Sequence, residues 1–395
     1  MKNKILRHGY TTGACAAAAT RGAALMLRDQ GAVDEVEIIL PRGETARFRL
    51  NGQTFTRKSA SCFVVKDAGD DPDVTNGAEI HATLTFDSPL LPFVKGGKRN
   101  DVQKRGNKHQ VIITGGTGVG RVTKPGLAIP VGEWAINPVP RKMISEAINE
   151  VFSLHCPLFS GHCSAVIPHV TISIPNGEEL AKKTLNARLG IIGGLSILGT
   201  TGIVRPISAQ AWTDTIDTAI DVALACGCTT LVICTGRTSE LAAQNYFSRS
   251  DADGVNRVPH GTAPLPEECY IMMGDHVGHA LRSCSRKGVK DIVLAGQFAK
   301  LLKIACGHEQ THVSSSQLDL KHLAGWLDES PHTSRLTPHA MQANTARELL
   351  ELTNGDPEII SLVCARAANF AGRLADGCRV KVFLAGYGGE MLYIG

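Results

Sequence analysis

At 395 residues the chain is too long for one comfortable hydrophobic core, so two domains are expected. Apolar and charged fractions of 43% and 20% are those of an ordinary soluble globular protein. A net charge of +4, with no Lys/Arg run interleaved with aromatics, argues against nucleic acid, and no apolar stretch is long enough to span a bilayer.

The first residues, MKNKILRHGY, lack the apolar core of a signal peptide, and twelve cysteines without framework spacing argue for reduced thiols in the cytoplasm. Ala14 to Arg28 is alanine-rich and predicts a helix, with Thr11 or Thr12 capping its first turn. Its N-terminal amides could hold a carboxylate or phosphate; the plainer reading is a capped structural helix. Val36 to Leu40 and Ala46 to Leu50 flank Pro41-Arg42-Gly43-Glu44 as a hairpin. Phe63 to Val65 and Ile80 to Phe86 are further strands, separated by the acidic turn Lys66 to Asp73. Its spacing does not fit a calcium loop, and carboxylates this close call for caps, a cation or a positive ligand group. The basic clusters Lys95 to Arg99 and Lys104-Arg105 suit either an acidic substrate or a solvated loop.

Val111 to Ile113 reads as a buried strand running into Gly115, Gly116, Gly118 and Gly120. Pro125, Pro130, Pro138 and Pro140 follow without helical or strand period, while Leu127, Ile129, Val131, Trp134 and Ile136 supply too much apolar surface for a linker. The stretch is therefore expected to be an ordered ligand-binding loop. Arg141 to Phe152 predicts a helix and His169 to Ile174 a strand. Between them His155-Cys156 and His162-Cys163 hint at zinc, but the spacing matches neither ribbon nor finger. Asn176 to Glu179 is a turn entering a helix, with its acidic residues in the first turn. A second glycine-rich stretch, Gly190 to Gly202, follows, in which Gly194 to Thr201 nearly spells a P-loop. Thr200 stands where the lysine belongs, so nucleotide hydrolysis is disfavoured.

From Ala209 onward helices and strands alternate: helix 209–225, strand Thr230 to Cys234, helix 239–247, strand Tyr270 to Met273, helix 276–287, strand Ile292 to Ala295, helix 299–306. This pattern predicts a parallel sheet covered on both faces, with strand-end pocket positions at Thr235-Gly236-Arg237, Gly274-Asp275 and Gly296-Gln297. Helices near 316–328, 338–353 and 358–375 and a strand Val380 to Leu384 complete the chain. His308-Glu309-Gln310-Thr311-His312 is a literal H-E-x-x-H, but Gly307 before it and Val313 to Ser316 after it speak against the continuous helix that zinc chemistry requires. No metal site is assigned.

GYTTGACAAAA, KDAGDDPDVTNG, GGTGVGRVTKPGL, PVGEWAINPVPR, IPNGEELAKKTLNARLGIIGGLSILGTTGIV and MGDHVGHAL together resemble the cobalt-precorrin-5B C1-methyltransferases of anaerobic cobalamin biosynthesis. The blocks span residues 9 to about 312; Ala187 stands where the family tends to have proline, and His276 and His279 where aromatics are common. The resemblance implies methyl transfer from S-adenosylmethionine to C1 of a cobalt-bound, ring-contracted tetrapyrrole, with cobalt present only as part of the substrate. No nucleophilic side chain is then required, since the macrocycle's own carbon attacks. Donor binding is expected at Gly115, Gly116, Gly118, Gly120, Gly199, Thr200, Thr201 and Gly202, with Asp275 or Glu178 on the ribose by analogy. The substrate's carboxylates are expected at Thr11, Thr12, Lys66, Arg121, Lys124, Arg141 and Arg205, and a base at His312 or Asp67. A tetrapyrrole carrier and a phosphate- or nucleotide-dependent transferase are the rival readings. The expected architecture is mixed α/β: a strand-rich α+β domain over 1–180 and a Rossmann-like α/β domain over 181–395. Homo-oligomer formation is left open.

Overall fold

A computed structural model of the chain describes residues 6–87, 111–153, 167–248 and 264–395. The basic clusters at 95–99 and 104–105 and the histidine–cysteine pairs at 155–163 lie outside the described residues. The chain divides into two compact units, Met1–Ser208 and Ala209–Gly395. The division thus falls 28 residues beyond the expected 180/181 boundary, because short strands in 191–204 pair back onto the first unit.

The first unit opens with β1 (Gly9–Tyr10) and α1 (Thr12–Asp29). Thr11 caps α1, its side chain accepting from the Ala14 amide at 3.2 Å. Seven of the helix's alanines are at most 1% exposed; such small side chains let neighbouring elements approach the backbone closely. The strands β2 (Glu35–Ile39) and β3 (Thr45–Arg49) form the expected hairpin, burying Val36, Ile38, Ala46 and Phe48 with a period of two. Next come β4 (Asn51–Phe55), β5 (Ser59–Val65), β6 (Glu79–Asp87), β7 (Ile112–Gly115), β8 (Arg121–Val122), α2 (Pro138–Ser153), β9 (Ile167–Ser173), α3 (Gly177–Ala181), β10 (Ile191–Ile192) and β11 (Ile203–Val204). Described strands assemble in the order β4-β5-β6-β9-β7, antiparallel except for β7 beside β9. Helices α1 and α2 pack on each other, α1 also on β5 and β6. Because β7 is at the edge, Ile112 is 43% exposed, and the strand is not buried as its apolar run suggested.

The second unit contains α4 (Ala209–Ala225), β12 (Thr230–Cys234), α5 (Arg237–Ser248), β13 (Tyr270–Met272), α6 (Val277–Arg286), β14 (Asp291–Gln297) and α7 (Phe298–Ala305). It closes with α8 (Leu320–Asp328), α9 (Thr337–Gln342), α10 (Ala346–Leu352), α11 (Pro357–Leu374), β15 (Arg379–Ala385) and β16 (Met391–Ile394). The order is β13-β12-β14-β15-β16, parallel through β15 with β16 antiparallel. Runs such as Leu231 to Cys234 and Ile292 to Ala295 are buried without alternation, as strands covered on both faces must be. The single helix expected over 338–353 is two helices. Ala343 is extended and Thr345 caps α10, accepting from Glu348 N at 3.1 Å while Glu348 reaches back to Asn344 N.

Candidate functional site

The glycines of the first unit make room for the protein itself. A Cβ on Gly118 (φ +72°) would lie 1.9 Å from the Ile174 carbonyl oxygen. On Gly177 or Gly194 it would lie 2.2 Å from Gly118 O. Three main-chain segments therefore touch at one point, tied by Leu195 N to Gly118 O at 2.9 Å and Ile174 N to Thr117 O at 2.8 Å. Gly115 faces the Trp134 ring, Gly116 the Ser173 hydroxyl, Gly120 Ile191, Gly199 Thr11 and Gly202 Leu40, each at a built-Cβ distance of 2.7 Å or less. At Gly115, Gly116, Gly118, Gly120, Gly199 and Gly202, expected to admit a donor molecule, the space of the missing side chain is filled by the protein, so internal packing by itself accounts for these glycines. Thr201 shapes its own turn through Ile203, and Thr200 lines a cavity of about 450 Å³ with Leu40, Val139 and Met143. The near-P-loop enters β11, not a helix, so it lacks the N-terminal amides that hold phosphates.

The carboxylates of the acidic turn are each answered from within. Arg7 pairs with Asp67 and donates its main-chain N–H to Asp70, Asp71 accepts from Ile207 N, and Lys66 Nζ reaches Asp73 at 2.6 Å. Lys66 is 2% exposed, so it holds this loop and is withdrawn from substrate. Hydrogen bonding to Arg7 holds the Asp67 carboxyl below its ordinary value, which makes it a poor base. Thr11 and Thr12 are buried as well: Thr11 caps α1, and Thr12 Oγ1 accepts from Leu198 N at 3.0 Å. These four residues are removed from the expected site by burial or pairing.

Two of the expected cations converge. Arg121 lies 3.9 Å from the Trp134 ring centroid, and Arg141 donates to the Trp134 and Ile136 carbonyls. Arg121 is exposed and donates to Gly132 O at 2.7 Å, and beside it stands Ile192, its register partner, at 52% exposure. Lys124 donates to Arg188 O at 3.1 Å, whereas Arg205 is exposed.

The second unit presents a different surface. Its strand order, 2-1-3-4-5 in chain order, switches direction between β12 and β14, where doubly wound sheets open a crevice at their carboxyl ends. Gly236 follows β12, Gly274 (φ +59°) follows β13, and a Cβ at either would meet nothing within 4 Å. Asp275, after β13, pairs with Lys300 in the first turn of α7, after β14. The pair thereby closes across the end of β12, which lies between those strands. Thr311 is 1% exposed and ties the following strap to this point, donating Oγ1 to Asp275 Oδ1 at 2.7 Å and its amide to Asp275 O at 3.1 Å. Lys303 Nζ donates to Thr311 O at 2.9 Å. Burial pushes the Asp275 carboxyl up, but the bonds from Lys300 and Thr311 outweigh it, leaving the group below its ordinary value. At the mouth of the crevice Arg237 reaches Glu240, whose side chain is fully buried, at 2.7 Å.

The strap 308–312 is not helical, so the two histidines of H-E-x-x-H do not share a helix face, and Glu309 is taken by Arg282. His312 is exposed beside Thr311, its Nδ1 2.8 Å from Ser314 Oγ. The sequence alone pointed to Asp275 and the strand-end glycines here, but not to Lys303 or to the burial of Thr311 against Asp275. The Lys300-x-x-Lys303 spacing in the helix that follows the strand-end Gly296-Gln297 was the available signal.

A family model described as CbiD matches residues 1–206. A protein of Geotalea daltonii named cobalt-precorrin-5B C(1)-methyltransferase is 59% identical over 395 residues, covering 100% of both chains. One of the same name from Geobacter sulfurreducens is 60% identical over the same span. Among solved structures, a 1.9 Å crystal structure of a cobalamin biosynthesis protein (cbiD) from Archaeoglobus fulgidus is 27% identical. It covers 77% of this chain and 81% of that one, with a TM-score of 0.37.

Proposed function

Because the chain belongs to the CbiD family, we infer that it methylates C1 of cobalt-precorrin-5B, giving cobalt-precorrin-6A in cobalamin biosynthesis, with S-adenosylmethionine as donor. Identity of 59% from end to end with a relative of that name is the observation that carries this reading. Bound donor supplies an electrophilic methyl on a sulfonium. The S–C bond breaks as the tetrapyrrole's C1 forms the new C–C bond, and the sulfonium leaves as a neutral thioether. The protein's work is to position the partners and exclude water.

The donor is assigned to the strand-end crevice of the second unit: Gly236 and Gly274 give main-chain access, and Asp275, Lys300 and Thr311 give a polar wall. His312 stands beside it as the remaining candidate base. Buried free thiols at Cys15, Cys62, Cys284 and Cys364 support a reducing compartment, the cytoplasm. No helix among the described residues is long and apolar enough to cross a membrane.

Incubation with S-adenosylmethionine and cobalt-precorrin-5B should yield a product heavier by one methyl group. Tight tetrapyrrole binding without that mass change would identify a carrier instead. Gly236→Val adds bulk where nothing stands and should abolish binding of S-adenosylhomocysteine with the fold intact; unchanged affinity would remove the donor from this crevice.

A further inference from the structure

Resting on that donor site, we propose that Lys300 and Lys303 bind the α-carboxylate of the donor's methionine end, so that the Asp275 cluster receives the amino-acid part and not the ribose. The two lysines lie one turn apart on α7. Lys300 is paired with Asp275, while Lys303, 9% exposed, donates to a neutral carbonyl. Two ammonium groups against one carboxylate leave a positive charge in excess at a partly buried point, where an unanswered charge is unfavourable. Burial, and then the neighbouring Lys300 charge, lower the Lys303 pKa, so its charged form is disfavoured as the cluster stands.

Donor capacity is left over as well. Lys303 uses one of its three N–H groups on Thr311 O, and Lys300 uses two, on Asp275 Oδ1 and on Thr311 Oγ1 at 3.3 Å. A ribose brings hydroxyls and no negative charge, and it would look for a carboxylate with both oxygens available. Asp275 instead has Oδ1 engaged twice, by Lys300 and Thr311, which makes it the group that holds Lys300 in place. A carboxylate that reaches this cluster meets two lysines with hydrogens still to give. The tetrapyrrole also carries carboxylates, and the test separates the two sources.

Calorimetric titration of the full chain with S-adenosylhomocysteine and with its decarboxylated analogue reads the contribution of this one group. The wild type should prefer the carboxylated ligand by about 10- to 100-fold, the span of a charge-assisted hydrogen bond. Lys300→Gln, on the more exposed lysine, and Lys303→Gln should each lose most of that preference while binding the decarboxylated analogue as the wild type does. Equal affinity of the wild type for both ligands, or a preference that survives in both variants, overturns the assignment and leaves the tetrapyrrole's carboxylates as the anion. Either result is distinct from failure of the crevice itself, which the Gly236→Val titration reports.

Discussion

Replacing Gly118 by alanine tests whether the glycine loop of the first unit is a ligand cradle or a packing joint. The backbone there has φ +72°, in the left-handed region, and an L side chain pays about 1–2 kcal/mol for it. The added methyl would also sit 1.9 Å from Ile174 O and 2.9 Å from Gly177 N, both main chain and neither free to swing away. Overpacking of this kind adds about 1–3 kcal/mol, for a total loss of about 2–5 kcal/mol. Gly132→Ala is the control: φ is +90°, but no atom lies within 4 Å, so the backbone term acts alone. Scanning calorimetry of the full chain should show the transition of unit Met1–Ser208 lowered by about 4–20 °C for Gly118→Ala. For Gly132→Ala the drop should be clearly smaller. Equal effects of the two substitutions would refute the joint. So would a Gly118→Ala protein of unchanged stability whose donor affinity has fallen, since that is how a ligand cradle behaves.

Two further outcomes follow from the buried charges. Asp73→Ala should cost about 3–5 kcal/mol by stranding the Lys66 ammonium, whose side chain is 1% exposed. Lys66→Met should cost less, because it leaves behind an Asp73 that is 25% exposed to water; chemical denaturation of both variants checks the asymmetry. Acid should act through Asp67, Asp73 and Asp275, whose native pKa values all lie below 3.8, the value for the unfolded group. Their stabilisation is complete above 3.8 and is lost as pH falls through the depressed native values, so urea midpoints should hold near pH 5 and drop steeply below about pH 4.

Local signals in the chain were enough for the longer elements and their order, though not for β4, β16, the short strands β8, β10 and β11, or the break between α9 and α10. The alanine run with its threonine cap gave α1, the turn Pro41 to Glu44 gave the β2–β3 hairpin, and unbroken apolar runs between helical periods gave the parallel sheet of the second unit. Each of those depends on residues a few positions apart, and the strand-end positions at Gly236, Gly274 and Asp275 follow from the alternation alone. The motif blocks likewise named the family without any coordinates. What no local pattern contained was which surface each glycine faces. Gly118, Gly177 and Gly194 meet across 76 residues of chain, whereas Gly236 and Gly274 meet open space, and the two kinds read alike in sequence. The same holds for charge: Lys66 and Lys300 each pair with an aspartate, but packing seals one at 2% exposure and leaves the other's side chain 31% exposed. The tertiary structure alone decides such cases, because a ligand site is defined by space left unfilled, and that depends on segments distant in the chain.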